Sequence, residues 1–230
     1  MGSESDNRLT HVEHYARIYS ENVAFCKSNP DALKAAIQLT NLTDDARTYT
    51  AWEETTSPEQ FGERIRSSAM ENYICFIFRP LVFAAHFDFL AGNVFTVFMQ
   101  LRTLLEQLAK CYQADMLPEA AKETFFATRV QIVEKKYQYI SDIIETLGPG
   151  SKELWRKLSN DWVHMKRMNK LVNTVIQDGV PSFTNIVPIE YIQEDMSTIR
   201  EIAEDSEQFR GLMKSALEKW RAIYGKKTAT

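Results

Sequence analysis

The segments 101-LRTLLEQLAKCY-112 and 154-LWRKLSNDWVHMK-166 decide the fold class of this chain. On a helical projection of about 100° per residue, the apolar side chains in and beside the first segment cover an arc of about 140°. The second segment has a similar apolar face that includes both of its tryptophans. The two faces consist of Phe98, Leu101, Leu104, Leu105, Leu108, Ala109 and Tyr112, and of Leu154, Trp155, Leu158, Trp162, Met165 and Met168. Each segment is therefore predicted to be an amphipathic helix with one side buried.

The rest of the chain continues this helical pattern. No run alternates between apolar and polar residues for long enough to predict a sheet. The 8 Gly and 7 Pro are too few for a sandwich or barrel with many tight turns, and 44% hydrophobic residues suit a globular core. We therefore predict an all-α fold, an up-and-down helical bundle of about seven to eight helices. Its core is expected in residues 73–112, 125–147 and 154–172.

Short motifs predict where several helices begin. These motifs are Thr10-x-x-Glu13, which fits a capping box, Asn29-Pro30-Asp31, Thr43-Asp44-Asp45 and Ser57-Pro58-Glu59-Gln60. The second motif is expected to open only a short helix. From Ser57 a helix can run towards Phe89, and it should bend or break near Pro80 because proline cannot donate a backbone hydrogen bond.

The sequence divides into four parts that we expect to form one domain. They are short N-terminal helices in residues 1–56, a core bundle in 57–177, a loop in 178–188 and charged C-terminal helices in 189–230. Ser151 should cap the last core helix, and a break is expected near Asp205-Ser206. The loop contains one Gly and two Pro, which is why it separates two helical regions.

Arg102 and Glu106 lie one turn apart, beside the apolar arc of the first segment. This position predicts either a partly buried ion pair that reaches the helix beginning at Leu154, or an ordinary surface pair. In the buried case, removing one partner would cost about 3 kcal/mol, because the other charge would be stranded.

The charges around His164 differ in sign from those of the whole chain. The chain has a formal net charge of −4, whereas residues 151–170 carry six basic and two acidic side chains, a net of +4. Such a local reversal can bind phosphate, and it can equally be the solvated face of a helix.

Several classes of site are excluded by the sequence. There is no Gly-rich phosphate loop, no GxSxG, no HExxH and no CxxC. We therefore predict no metal site and no cofactor, and we expect Cys26, Cys75 and Cys111 to be buried, reduced thiols of a cytoplasmic protein. Residues Tyr73–Met99 hold seven of the 13 Phe, but charged and turn-forming residues interrupt them, so a core helix is favoured over a membrane span.

The pairing of LRTLLEQLAKCY with the later LWRKLSNDWVHMK resembles prokaryotic helical proteins related to the HEPN superfamily. In those proteins a helix carrying Arg and Glu precedes one that reads roughly Leu-Ser, a few residues, then His. The resemblance covers about a third of the chain. It implies an up-and-down helical bundle, a homodimer, and a metal-independent endoribonuclease or a toxin or defence component.

The resemblance also implies roles for individual residues. His164 would be the catalytic acid or base, and Arg156 or Lys157 would stabilise the phosphate. The nuclease signature of the superfamily has four to six residues between Arg and His; here seven separate Arg156 from His164 and six separate Lys157 from it. The predicted binding residues are Arg102, Glu106, Asn160, Lys166 and Arg167.

Two other functions remain open on the sequence. One is a non-catalytic helical module that binds a protein partner. The other is a small-molecule binder with an aromatic cavity lined by the Phe-rich helix.

Overall fold

The structure, a computed structural model, describes residues 4–163 and 190–224, and these contain helices and no strand. The all-α prediction is therefore confirmed. The helices of this part of the chain are α1 Glu4–Ser28, α2 Pro30–Thr50, α3 Pro58–Ser67, α4 Ala69–Asn72, α5 Arg79–Leu90, α6 Val94–Met116, α7 Pro118–Ala121, α8 Phe126–Lys136, α9 Ile140–Glu145, α10 Ser151–Lys157 and α11 Met196–Tyr224. Tyr73–Phe78 and Leu158–Val163 are π-helical, and Ala51–Thr55 and Gln193–Asp195 are 3-10 turns. The predicted seven to eight helices were too few, mainly because α4, α7 and α9 are only one or two turns long.

Helix α6 is the central element of the bundle. It packs against α5, α8 and α11, and its leucines Leu101, Leu104, Leu105 and Leu108 are fully buried, as the apolar arc predicted. Helix α11 packs along both α2 and α6, so residues from the beginning, middle and end of the chain share one core. Truncating one such leucine to alanine costs about 2–5 kcal/mol, which makes this packing the main source of stability.

Two of the predicted helix starts are confirmed by their caps. The Asn29 side chain accepts a hydrogen bond from the Asp31 amide at the start of α2. Ser57 and Gln60 form a capping box at the start of α3, each side chain accepting from the backbone amide of the other. Both motifs act within one turn, so they depend on no distant residue.

Two predicted starts in the first fifty residues are wrong. Helix α1 begins at Glu4, so Thr10 lies inside it. Helix α2 is 21 residues long, and Thr43 lies in its interior, where its hydroxyl donates to the Thr40 carbonyl. Asp45 accepts two hydrogen bonds from Arg210 of α11, at 2.6 and 3.0 Å. Asp45, which the sequence predicted as part of a helix cap, therefore joins α2 to α11 instead.

The helix that was expected from Ser57 to Phe89 breaks at Ser68 instead of at Pro80. From Ala69 to Leu90 the chain is one helical rod, with π winding in Tyr73–Phe78 immediately before Arg79 and Pro80. There the Arg79 amide donates to the carbonyl of Ile74, five residues back, and the helix passes the proline without breaking.

The rod Ala69–Leu90 is long and apolar enough to cross a membrane by length and composition, with a mean hydropathy of 1.5 in its most apolar window. It lies against α2 and α6, and 39% of that window is buried. Length and composition do not distinguish a core helix from a membrane span, so the contacts are the more informative observation.

The C-terminal half differs from the prediction in three places. Ser151 is the first residue of α10, after Gly150, and its hydroxyl donates to the Ile144 carbonyl at 2.8 Å instead of capping the helix. The segment after Pro118 divides into α7, α8 and α9. Helix α11 runs without a break through Asp205 and Ser206, because both residues are buried against neighbouring helices and not placed in a turn. The expected loop at 178–188, and the expected helix beyond residue 163, lie outside the described residues.

Candidate functional site

The Arg102–Glu106 pair lies between α6 and α10. Arg102 contacts Glu106 at 2.9 Å, with the two side chains 25% and 19% exposed. Trp155 donates its indole N–H to Glu106 at 2.7 Å, and Arg102 Nε donates to Ser159 Oγ at 3.0 Å. The prediction of a partly buried pair that reaches the Leu154 helix is confirmed. We call these four residues the Arg102 network.

The basic residues of α10 differ in whether their charge is already paired with a carboxylate. Lys157 donates to the buried Asp205 at 2.6 Å, and Lys152 to Glu145 at 2.6 Å. Burial raises the pKa of Asp205 and Lys157 opposes that rise. Arg156 and Asn160 are exposed, and Arg156 has no ion pair with any described residue. Two of the three positive charges that lie in the described part of this segment, those of Lys152 and Lys157, are therefore compensated by carboxylates.

The other predicted site residues, His164, Lys166 and Arg167, lie outside the described residues. The structure thus brings together Arg102, Glu106, Ser159 and Trp155. It places Lys157 in a separate ion pair with α11.

A second charged cluster lies at the C-terminal end of α6, around Asp115. The Asp115 side chain is fully buried and accepts five hydrogen bonds. They come from the Ser68 hydroxyl at 2.6 Å, the amides of Ala69 at 2.8 Å and Met70 at 3.0 Å, Arg129 at 3.0 Å and the Trp220 indole at 2.9 Å. We call these residues the Asp115 network. It caps the Ala69–Leu90 rod and joins that rod to α6, α8 and α11.

Arg129 carries the counter-charge of this network. Its guanidinium also donates to the carbonyl of Ser67 at 2.8 Å and to the carbonyl of Glu123 at 2.6 Å. A buried ion pair offsets its desolvation only when the remaining donors and acceptors are satisfied. That condition is met here, so the pair fixes where α3 ends and the rod begins.

A cleft of about 840 Å³ opens beside the Asp115 network. Its aromatic lining comes from two distant parts of the chain, Tyr49 and Trp52 near the end of α2, and Trp220 and Tyr224 in the last turns of α11. Its polar lining consists of Thr56, Gln60, Glu63, Arg64, Ser67, Ser68, Glu71 and Arg221. Trp220 belongs to both features, because its ring lines the cleft while its indole N–H bonds to Asp115.

Guanidinium groups lie over two of the aromatic rings of the cleft. The Arg64 guanidinium carbon is 3.8 Å from the centre of the Trp52 ring, and that of Arg221 is 5.5 Å from the centre of the Tyr49 ring. Arg64 also forms an ion pair with the buried carboxylate of Glu71. Burial raises the pKa of Glu71, and the bond from Arg64 lowers it in part.

One polar atom at the cleft lacks a partner. The indole N–H of Trp52 is buried and has no hydrogen-bond acceptor in the described part of the protein. A buried donor without an acceptor costs about 1–3 kcal/mol.

Among the described residues, no cysteine or histidine lines the cleft. Cys26, Cys75 and Cys111 are free and buried, as predicted, and burial raises the pKa of the Cys26 thiol to about 11. No group of three or more His, Cys, Asp or Glu side chains in residues 4–163 and 190–224 is arranged to hold a metal ion. The cleft offers a ligand aromatic rings, guanidinium groups and hydrogen-bonding side chains.

Sequence reasoning missed this cleft. One function left open on the sequence was an aromatic cavity lined by the Phe-rich helix, whereas the rod Ala69–Leu90 contributes only Glu71 and Ile74 to the lining of this cleft. The one local signal was the sequence 219-KWRAIY-224, in which Trp220, Arg221 and Tyr224 lie within about one turn of a helix. The other wall lies in residues 47–56, where the helical pattern is weak.

Comparisons of this chain with models of protein families, with curated proteins and with solved structures find no match.

Proposed function

We propose that the protein binds a small, planar, negatively charged ligand in the cleft between α3 and the end of α11. The observation that carries this proposal is the placement of two arginines among four aromatic rings. An aromatic ligand can stack on such rings, and each stacked ring pair contributes about 0.5–1.5 kcal/mol beyond the area that it buries.

Arg221 supplies the positive charge for the ligand. Its side chain is exposed, and it has no ion pair with any described residue, whereas Arg64 is already paired with Glu71. A guanidinium can bind a carboxylate or a phosphate through two parallel hydrogen bonds, which are stronger than bonds between neutral groups.

The tryptophans of the cleft provide a direct test. The variant Trp155→Phe/Trp162→Phe retains only Trp52 and Trp220, so its fluorescence reports on the cleft. We expect AMP, an aromatic anion, to quench this fluorescence with saturation, and the neutral nucleoside adenosine to do so with at least about tenfold weaker affinity.

Arg221→Gln should remove most of the difference between the two probes. Arg200→Gln is the matched control, because Arg200 is an exposed arginine of α11 that pairs with Asp31 outside the cleft. Benzoate serves as a second aromatic anion without a ribose. If neither anion produces a saturable change at millimolar concentration, the cleft does not bind this class of ligand and the proposal is wrong.

A second candidate is the RNA-binding or RNA-cleaving activity implied by the HEPN resemblance. What favours it in the structure is that Arg156 and Asn160 are exposed one turn apart, next to the Arg102 network. A phosphate could bind there while His164 acts as the acid or base.

The test of this second candidate is cleavage of single-stranded RNA in the presence of EDTA. His164→Ala should abolish cleavage, and Arg156→Ala should weaken binding in a salt-dependent way. Lys122→Ala, in the loop after α7, is the control for a general loss of positive charge. If the protein neither binds nor cuts RNA at low salt, this candidate is excluded.

A further inference from the structure

Three phenylalanines form an exposed row along the Ala69–Leu90 rod. Phe76, Phe83 and Phe87 are 57%, 36% and 68% exposed. Their spacings of seven and four residues place them within about 20° of one line on a helix. The opposite side of the same rod, with Phe78, Val82, Ala85 and Phe89, is fully buried in the core. The rod is therefore apolar on two faces, and the described residues cover only one of them.

The row continues onto neighbouring elements at both ends. Phe61 of α3 meets Phe76 edge-on at 6.4 Å between ring centres, and Tyr19 of α1 lies 5.6 Å from Phe87. Tyr15, one turn before Tyr19, is also exposed. We call Phe76, Phe83, Phe87 and Tyr19 the Phe row.

The size of the Phe row suits the centre of an interface. An aromatic side chain has about 150–250 Å² to bury, so the three exposed phenylalanines alone offer on the order of 300 Å². A stable interface buries about 800 Å² on each partner, with an apolar centre and a polar rim. The Phe row can supply that centre, and the exposed parts of α1 and α2 beside it can supply the rim.

The charges beside the Phe row indicate what covers it. Arg79 is paired with Glu53 at 2.8 Å, and Arg47 lies near Asp44 at 3.9 Å while its guanidinium covers the Phe83 ring. Both nearby arginines are thus balanced by carboxylates of this chain. A surface that binds anionic lipid needs basic side chains in excess. A rim with balanced charges can instead meet a copy of itself without repulsion between like charges.

We propose that the Phe row is the centre of a two-fold symmetric interface with a second copy of this chain. In this arrangement the rods of the two copies lie antiparallel, which is the favourable orientation of their helix dipoles. Phe76 of each copy faces Phe87 of the other, and Phe83 lies near the two-fold axis. The row from residue 76 to residue 87 is about 16 Å long, enough for three turns of each helix to interdigitate. This inference is independent of the ligand proposed for the cleft.

Sedimentation equilibrium of the full chain, at protein concentrations from about 1 to 100 µM, tests the interface. We expect a dimer for the wild type. The variant Phe83→Asp/Phe87→Asp should weaken dimerisation by about a hundredfold or more, because two carboxylates per copy would lose their water without gaining a partner. Phe125→Asp is the matched control: Phe125 is 75% exposed and lies away from the Phe row, so this variant should remain dimeric.

Disulfide cross-linking tests the antiparallel arrangement separately. Phe76→Cys and Phe87→Cys proteins should cross-link efficiently when mixed, and much less well when either is oxidised alone. The native cysteines are buried, so they should not compete. Circular dichroism of every variant confirms that it is folded.

A wild type that is monomeric at the highest concentration overturns the proposal, as does a dimer that the double aspartate variant leaves intact. Flotation with phosphatidylcholine or phosphatidylserine vesicles tests whether the Phe row binds a lipid surface instead. A monomer that binds vesicles through the Phe row would show that the row is a lipid-binding surface and not an interface between copies.

Discussion

The middle and the C-terminal end of α6 carry the same kind of ion pair in different surroundings. In the middle, Arg102 and Glu106 remain about one quarter and one fifth exposed and bond to one neighbouring segment of chain. At the C-terminal end, Asp115 and Arg129 are buried, and the carboxylate accepts bonds from residues of three different parts of the chain. Water can replace a partner lost from the first network, but not one lost from the second. The Asp115 network is therefore a structural requirement of the fold, while the Arg102 network can be altered and still leave a folded protein.

The largest expected effect follows from Asp115→Asn. The asparagine amide cannot accept the bonds that one carboxylate oxygen accepts, and Arg129 is left as a buried charge without a counterion. We expect the free energy of unfolding to fall by about 3–5 kcal/mol, measured by urea denaturation. The double variant Asp115→Asn/Arg129→Gln should lose less than the sum of its single variants. Glu119→Gln removes an exposed pair with Lys136 and should leave stability unchanged. A loss below about 1 kcal/mol for Asp115→Asn would contradict this account.

The next largest effect is expected for Lys157→Met. In this variant Asp205 is a buried carboxylate that has lost its ion pair with Lys157. Its second oxygen has no hydrogen-bond partner among the described residues even in the wild type. We expect a loss of about 2–3 kcal/mol at pH 7.

The pH dependence of that loss follows from the pKa of Asp205. Burial already raises this pKa above its ordinary value of 3.8, and the loss of Lys157 raises it further. The folded protein then holds the proton more tightly than the unfolded chain, so the penalty grows as the pH rises above 3.8 and disappears below it. Denaturation at pH 4 and pH 7 measures the difference. Equal losses at both pH values would mean that the charge of Asp205 is not the cause, and Lys152→Met, which breaks an outward-facing pair with Glu145, is the control.

Changes in the Arg102 network should cost less. Glu106→Ala removes the acceptor of the Trp155 indole and the partner of Arg102, both of which water can partly replace. We expect a loss on the order of 1–2 kcal/mol, below the 3 kcal/mol that a fully buried pair would imply. Glu106→Gln keeps an acceptor for Trp155 and should cost less than Glu106→Ala. Unfolding experiments give the losses, and a red shift of tryptophan fluorescence only in the alanine variant would report the freed indole. A loss as large as that of Asp115→Asn would remove the distinction between the Arg102 network and the Asp115 network.

The smallest effect is expected for Glu71→Gln at the cleft. Burial raises the pKa of Glu71 above its ordinary value of 4.5, and the bond from Arg64 only partly opposes this. As the pH rises above 4.5, ionisation of this buried carboxyl lowers the free energy of unfolding of the wild type. The glutamine variant has no group to ionise at this position. The stability of Glu71→Gln relative to the wild type should therefore increase with pH, by less than about 1 kcal/mol. Parallel urea titrations from pH 4 to pH 8 measure it, and a relative stability that decreases with pH would show that the ion pair with Arg64 outweighs the burial.

The sequence by itself determined the helical class, the long central helix and the starts of α2 and α3. Each of these depends on residues no more than a few turns apart: the leucine period of α6, the Asn29 cap and the Ser57 capping box. Local spacing also placed Arg102 and Glu106 beside the buried face of α6, from which their contact with the neighbouring helix followed.

The tertiary structure alone decided where the other elements end and where the cleft lies. The break at Ser68 depends on Asp115, 47 residues away, and the continuity of α11 through Asp205 depends on Lys157, 48 residues away. The cleft joins Trp52 to Trp220, and the Phe row becomes visible only when the opposite side of its helix is seen to be buried. Hydrogen bonds and packing between distant segments leave no periodic trace in a single sequence, because each partner taken alone has the pattern of an ordinary polar or apolar residue in a helix.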